Sequence, residues 1–306
     1  MTEQLYHIPV LLQELKKSLN IHPNGVYVDC TFGGGGHASS ILEELNTQGK
    51  LIAFDQDEDA VKNIPNDPRI IFIPQNFRHL QRFLKLQGIL KVDGIIADLG
   101  VSSYQFDKAE RGFSYRFNAE LDMRMDQRQT LTAFDIVSSY SEEQLHLMFE
   151  KYGEVTNAKT LAKTIVQVRN VSSLKTIESF KNALHSVVKG NPNKYFAQVF
   201  QSLRIEVNDE LGALKEMLEQ IPSILKPGGR VAIITFHSLE DRLVKYFFRQ
   251  GTFDMKEENP FTMTENKNEL RVITKKPIES LEEEREKNQR SRSAKLRVAE
   301  KIADSP

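Results

Sequence analysis

The sequence predicts an α/β protein built on a doubly wound, mostly parallel sheet, with a mainly helical domain inserted into it. Three observations carry that prediction. Four short apolar runs, "VYVDC", "LIAFD", "IIFIP" and "VDGIIADLG", succeed one another within the first hundred positions, separated by glycine loops and, in at least the first gap, by a helical pattern. Alternation of this kind builds parallel strands with crossover helices on both faces. From about Ala133 to Gln201 there is only helical periodicity, after which helix, glycine turn and buried strand return in "LKPGGR" and "VAIITFHS".

Taken in order, Pro9 with Val10, Leu11, Glu14 and Leu15 predicts a short amphipathic helix with proline at its first position, ending near "HPNG". The four strands follow. Between Gly100 and about Arg128 neither period is present, and loops of that length are commonly functional. "SEEQLHLMFEKYG" opens with a capping box from Ser141 to Gln144, and "NAKTLAKTIVQVRN" and "TIESFKNALHSVVKG" space apolar residues three and four apart. "VNDELGALKEMLEQI" sets Val207, Leu211, Leu214, Leu218 and Ile221 on one helical face, which Pro222 kinks or ends. After strand "VAIITFHS", an edge strand "ELRVITKK" precedes a charged tail, "LEEEREKNQRSRSAKLRVAEK". The expected division is residues 1–106 with 207–306 for the sheet domain, and 107–206 for the insertion.

At 306 residues the chain can bury a substantial core. With 41 Lys+Arg against 42 Asp+Glu there is no global attraction to polyanions, so a nucleic-acid site has to be local. Cys30 is the single cysteine, which excludes an internal disulfide, and no His/Cys spacing resembles a metal site. No signal peptide or membrane-spanning run is apparent, and a cytoplasmic location is expected.

The richest stretch is "VYVDCTFGGGGHASSIL", four glycines between a strand and a helix. Gly33, Gly35 and Ala38 satisfy G-x-G-x-x-A, and Asp55 closes the second strand about twenty residues on, where a carboxylate can take both hydroxyls of a ribose. A nicotinamide dinucleotide and S-adenosylmethionine both fit that description. Asp29, four residues before the first glycine, separates them: an acid at the strand end suits an ammonium and repels a diphosphate.

"DCTFGGGGH" resembles motif I of class I S-adenosylmethionine methyltransferases, with Thr31 where many members carry glycine. Together with "HIPVLLQE", "VDGIIADLGVSSYQFDKAERGFSYR", "LDMRMD", "NPNKYFAQVFQSLRIEVNDEL", "FHSLEDR" and "RSRSAKLR", it resembles the RsmH family, also called MraW, from His7 to Arg297. The resemblance implies a Rossmann-like class I fold and N4-methylation of a cytidine in the decoding region of 16S ribosomal RNA, the insertion aiding substrate recognition. It implies S-adenosylmethionine contacts at Gly33, Gly35, Gly36, His37, Asp55, Phe77, Asp98 and Gln105, and no metal. Tyr104 in place of a frequent proline, "NAE" at 118–120 and "AQVFQSLRI" depart from the family's usual pattern on the substrate side.

Chemically, an exocyclic amine is a poor nucleophile that becomes cationic as it is methylated, so hydrogen-bond acceptors aimed at its protons help. Asp98, at the end of a central strand, is the first candidate, with Ser102 and the pair His237 and Ser238 behind it. A hydrogen-bonded structural role is the plainer expectation for His37 and His237. Tyr104, Phe106, Phe113, Tyr115 and Phe117 interleave with Lys108, Arg111, Arg116, Arg124 and Arg128, suiting either splayed RNA or a self-packed loop. Arg290, Arg292, Lys295 and Arg297 are further candidates for phosphate contacts, or a solvated helix face. The expected partner is 16S ribosomal RNA, within the small subunit, with no membrane; a homodimer is compatible with the sequence. The competing functions are a noncatalytic RNA-binding or assembly factor on the same fold and an NAD-dependent oxidoreductase.

Overall fold

The computed structural model describes residues 9–253 and 268–303. His7 and Ile8, which open the "HIPVLLQE" motif, lie outside the described residues. The chain forms two compact units, residues 1–100 with 211–306, and 101–210. The helical unit therefore takes in 101–106 and 207–210, which the expected boundaries left with the sheet. Val101, Phe106 and Val207 pack into the helical core, which is why the division falls outside them.

In chain order the elements are α1 (Leu12–Leu19), β1 (Val26–Asp29), α2 (Gly36–Leu42), β2 (Lys50–Phe54), β3 (Ile70–Ile73), α3 (Leu80–Leu86), β4 (Val92–Asp98), α4 (Ser103–Asp107), α5 (Ala133–Ser139), α6 (Glu142–Gly153), α7 (Ala158–Val168), α8 (Ile177–Leu184), α9 (Pro192–Asn208), α10 (Glu210–Ile224), β5 (Leu225–Thr235), α11 (Ser238–Gln250), β6 (Leu270–Val272), β7 (Ile278–Glu279), α12 (Glu282–Lys287) and β8 (Lys295–Lys301). The sheet runs β3-β2-β1-β4-β5-β8-β6, with β7 also paired to β8. Strands β1 to β5 run parallel to one another, and β8 is antiparallel to β5, β6 and β7.

Both faces of the sheet are apolar, as a doubly wound sheet requires. Val28, Ile52, Ile95, Ile233 and Ala299 face one core with α3, α10 and α11, through Leu84, Leu218 and Phe247. Tyr27, Leu51, Ile96, Ile234 and Val298 face the other, where α1 and α2 supply Leu15, Leu19 and Ile41. In the helical unit, Leu145, Phe149, Leu161, Phe180 and Phe200 centre a separate core. The Ser141–Gln144 capping box starts α6. Among the described residues no helix is long and apolar enough to cross a membrane.

Four local expectations need correction. Helix α1 starts at Leu12, not at Pro9; Leu11 precedes it in a left-handed conformation, and Pro9 instead lies over Gly36. The face read as one helix from Val207 to Ile221 is broken at Asp209, which is left-handed (φ 46°) and caps α9, while Pro222 sits inside the last turn of α10 without ending it. The stretch after Gly100 is not structureless: it holds α4, a single turn at Ala109–Arg111 and a bridge from Glu120 to Thr176. The charged tail ends in β8, inserted between β5 and the edge strand β6, with Leu296, Val298 and Ala299 buried.

Candidate active site

Strands β2 and β3 extend the sheet on one side of β1, and the chain then crosses to lay β4 on the other side. That reversal opens a crevice at the carboxyl ends of β1 and β4, the usual ligand position in open α/β sheets. Asp29 ends β1 and Asp98 ends β4. The glycine loop is pinned beside them from several strands. Cys30 N donates to Ile96 O and Phe32 N to Phe54 O, each at 2.9 Å. Thr31 N donates to Asp29 Oδ1 (3.0 Å), and Thr31 Oγ1 accepts from Asp98 N at 2.6 Å. Gly33 N donates to Asp55 Oδ2 at 2.7 Å, and Asn63 Nδ2 donates to Gly33 O at 2.9 Å.

Glycine is required here for conformation and for room. Gly33 and Gly35 have φ of 50° and 75°, which side chains rarely adopt. A Cβ on Gly36 would stand 2.3 Å from Pro9 Cγ, whereas Gly34 has open space around it. The loop thus offers bare backbone toward the crevice before α2 begins.

Around it lies an unusual concentration of unsatisfied polar atoms. Asp29 Oδ2, Asp98 Oδ1 and both ring nitrogens of His37 are buried without a hydrogen-bond partner. His37 Nε2 stands 3.6 Å from Asp98 Oδ2, too far for a hydrogen bond but close enough for ion pairing when the ring is protonated. Buried polar groups are normally satisfied, and leaving one bare costs on the order of 1–3 kcal/mol. Burial pushes the Asp29 carboxyl up to about 7, against the hydrogen bond from Thr31 and the pull of His37; the nearby charges of Asp98 and Asp55 add to the rise. Burial likewise raises Asp55 to about 6, opposed by the amides of Asp57 and Gly33. Asp29 is the more sealed of the two, at 1 % exposure, while Asp55 keeps an open edge. Burial alone would lower His37, but the Asp98 and Asp29 carboxylates reverse this and hold it above the ordinary imidazole value. The crevice therefore gathers acids around the His37 ring and leaves one oxygen of Asp29 and one of Asp98 without a partner.

Asp55 also accepts from Asp57 N at 2.8 Å, so its two oxygens moor both the glycine loop and the turn after β2. Phe77 begins a single helical turn directly after β3 and is part-buried against the sheet core. His237 caps α11: its Nδ1 accepts from Glu240 N at 3.4 Å, and Glu240 Oε2 accepts from the amides of Phe236 and His237. The cap uses Nδ1, while Nε2 is buried without a hydrogen-bond partner, 3.2 Å from Glu240 Oε1. Ser102 and Gln105 belong to the helical unit, where they form a reciprocal capping box on α4, Ser102 N donating to Gln105 Oε1 at 3.0 Å.

These motifs together match one family profile, that of the MraW methylase family, over residues 4–302. The chain belongs to the MraW methylase family. It is 51 % identical over 300 residues to a protein of Bacteroides thetaiotaomicron, covering 98 % of both chains. It is also 51 % identical over 302 residues to one from Azobacteroides pseudotrichonymphae, covering 98 % of this chain and 99 % of that one. A Cytophaga hutchinsonii protein is 51 % identical over 300 residues, 97 % of this chain and all of that one. Each of the three is named ribosomal RNA small subunit methyltransferase H. The family resemblance drawn from the motifs and the α/β fold class both hold.

Within this methylase, Asn63 escaped the sequence reading, since nothing local marks the amide that clamps the Gly33 carbonyl. Thr31, noted as a departure in the cofactor motif, fixes the carboxyl end of β4 through its hydroxyl.

In the helical unit, much of the aromatic and basic interleaving is self-packed. Phe113 is 5 % exposed, and Arg111, at 6 %, donates to the carbonyls of Arg124 and Met125. Arg124 pairs with Asp122 and Arg128 with Asp126. Tyr104 and Phe117 remain exposed, and Lys108 and Arg116 lie over the Tyr104 and Phe106 rings at 4.4 and 5.2 Å. Arg297, expected to meet phosphate, is 6 % exposed and paired with Asp241 at 2.6 and 3.0 Å. In a strand flanked on both sides its side chain points into a helix-covered face rather than to solvent.

Proposed function

We propose that this chain is an S-adenosylmethionine-dependent methyltransferase that modifies N4 of a cytidine in the decoding region of 16S ribosomal RNA, within the small subunit. The observation that carries the donor assignment is the pair of buried, unpartnered carboxylate oxygens on Asp29 and Asp98 beside a bare glycine loop. They fit a donor that presents an ammonium and a sulfonium. A diphosphate would add charge of the same sign, which counts against the nicotinamide alternative. The relatives' shared name, at about half identity over nearly the whole chain, supports the ribosomal RNA acceptor.

The residues that would hold the donor are Gly33, Gly35, Gly36 and His37 in the loop, Asp55 for the ribose, Phe77 beside the adenine, and Asp98; the family resemblance adds Gln105. When bound, S-adenosylmethionine supplies an electrophilic methyl group on a positively charged sulfur. The chain's own task is to align the acceptor amine with that methyl and exclude water. Asp98 accepts hydrogen bonds from the amine protons, which localises the nitrogen lone pair and spreads the growing positive charge. Ser102 is the secondary acceptor for those protons. His237 serves by anchoring the start of α11 after β5. A base stacked in a strand must be turned outward to reach such a site. The scheme needs no second copy of the chain.

Nucleoside mass spectrometry on small subunits from a deletion strain, before and after incubation with the protein and labelled donor, tests this. An N4-methylcytidine that appears only on incubation is the expected result. RNA binding without transfer would instead support a noncatalytic assembly factor.

A further inference from the structure

Helix α11 packs against β6 and β8 on the outer part of the sheet, and a cleft of about 260 Å³ opens there. Lys245 and Arg249 reach it from the helix, one turn apart, and Lys275 reaches it from the segment after β6. All three are exposed, and none has an ion pair or hydrogen bond among the described residues. Several arginines elsewhere are neutralised, Arg69 by Asp67, Arg78 by Glu216 and Arg230 by Glu300, whereas Arg249 is not. The floor is fixed. Phe248 is 2 % exposed, Arg297 is held by Asp241, and Thr274 Oγ1 accepts from Val298 N at 2.9 Å.

Like charges four residues apart on one helix repel each other. An ordinary solvated helix face spreads such charges outward; here they converge with a third cation from another element on one concavity. A bound anion would relieve that repulsion. The buried phenylalanine leaves no ring face on which a base could stack, so the shape suits a phosphate group rather than a nucleoside. Three strand spacings separate β4, which carries Asp98, from β6, on the order of 14 Å across the sheet.

We propose that the cleft lined by Lys245, Arg249 and Lys275 binds the phosphodiester backbone of the RNA acceptor, as a subsite separate from the donor crevice. This rests on the RNA-acceptor reading above. The subsite would grip the strand away from the base being modified, adding affinity without reading sequence.

The test is the triple variant Lys245→Ala/Arg249→Ala/Lys275→Ala, compared with the wild type for binding to unmethylated small subunits across a salt series. S-adenosylmethionine affinity is measured in parallel by calorimetry. The expected result is at least about a tenfold loss of RNA affinity at moderate salt, with the slope of log K against log salt shallower by about 2, and unchanged donor affinity. Unchanged RNA affinity and slope in a variant that still binds donor would overturn the subsite while leaving the methyltransferase reading intact. A wild-type protein that neither binds nor methylates small subunits would overturn both. Anionic phosphatidylglycerol vesicles form the last arm: vesicle binding lost in the variant while RNA binding persists would assign the cleft to a lipid headgroup and refute the proposal.

Discussion

Replacing Asp29 by asparagine should stabilise the empty protein at alkaline pH and weaken donor binding at the same time. The folded carboxyl titrates at about 7 against an ordinary 3.8. At 1.36 kcal/mol for each tenfold change, ionising it in the folded state costs about 4 kcal/mol at pH 8. Because the folded value is raised, the stability associated with the protonated form is fully present below the ordinary value and is lost as pH rises through about 7. Asparagine avoids that loss and keeps the acceptor for Thr31 N, which Asp29 Oδ1 provides at 3.0 Å. Its amide then occupies the place of Oδ2, which has no partner, and that forfeits roughly 1–3 kcal/mol. The net gain is about 1–3 kcal/mol at pH 8, or a few degrees in Tm for a chain of this size. At pH 5, where the wild-type carboxyl is protonated, the gain should vanish or reverse. Thermal unfolding at pH 5 and pH 8, with calorimetric titration of S-adenosylmethionine, reads both effects. A Tm difference that is the same at the two pH values would show that Asp29 carries no suppressed charge. Undiminished donor affinity would show that the acid does not face a cation.

The same carboxyls predict that donor binding releases protons. A bound cation favours ionised Asp29 and ribose hydroxyls donating to Asp55 favour its ionised form, so affinity should climb as pH rises from about 5 to about 7 and then level; calorimetry in two buffers of different ionisation heat measures the release. Gly36→Ala should lower stability by about 1–3 kcal/mol and impair donor binding, because its Cβ meets the stiff Pro9 ring, while Gly34→Ala, in open space, should leave Tm within about a degree. Equal behaviour of the two would refute the close-approach argument. Arg297→Ala should cost about 3 kcal/mol in denaturant unfolding, since it strands Asp241 beside an apolar core, and Asp241→Asn should partly reproduce that loss.

How far the fold could be read from the chain depended on whether each strand's burial was uniform. Strands β1 to β4 are covered on both faces, so each appears as a continuous apolar run. Strand β8 is equally central, yet Lys295, Arg297, Glu300 and Lys301 punctuate its apolar residues, and it passed for the end of a charged tail. Nothing local says that Arg297 is neutralised by a residue 56 positions away. The break at Asp209 was hidden for another reason: the apolar spacing of α9 runs on into α10 almost in phase, and a single left-handed residue leaves no mark on periodicity. In the loop after Gly100, alternating rings and cations are the same letters whether they meet RNA or one another, and only Asp122 and Asp126 beside Arg124 and Arg128 pointed inward.

The candidate donor site was more legible than the candidate acceptor side because sheet topology converts sequence position into spatial position. A residue ending β1 and a residue ending β4 must meet at the switch point, whatever lies between them, so Asp29, the glycines and Asp98 could be assembled from strand order alone. Local stability opposes that assembly. Leaving buried carboxylate oxygens without a partner is unfavourable in the empty protein, and no packing need explains one on Asp29 and one on Asp98 beside a histidine whose ring nitrogens make no hydrogen bond. A fold that retains such a cluster has its deficit made good by a ligand of opposite charge. The positive donor and the negative crevice are then two halves of one electrostatic arrangement: strip the charge from Asp29, and the protein should become easier to fold and harder to use.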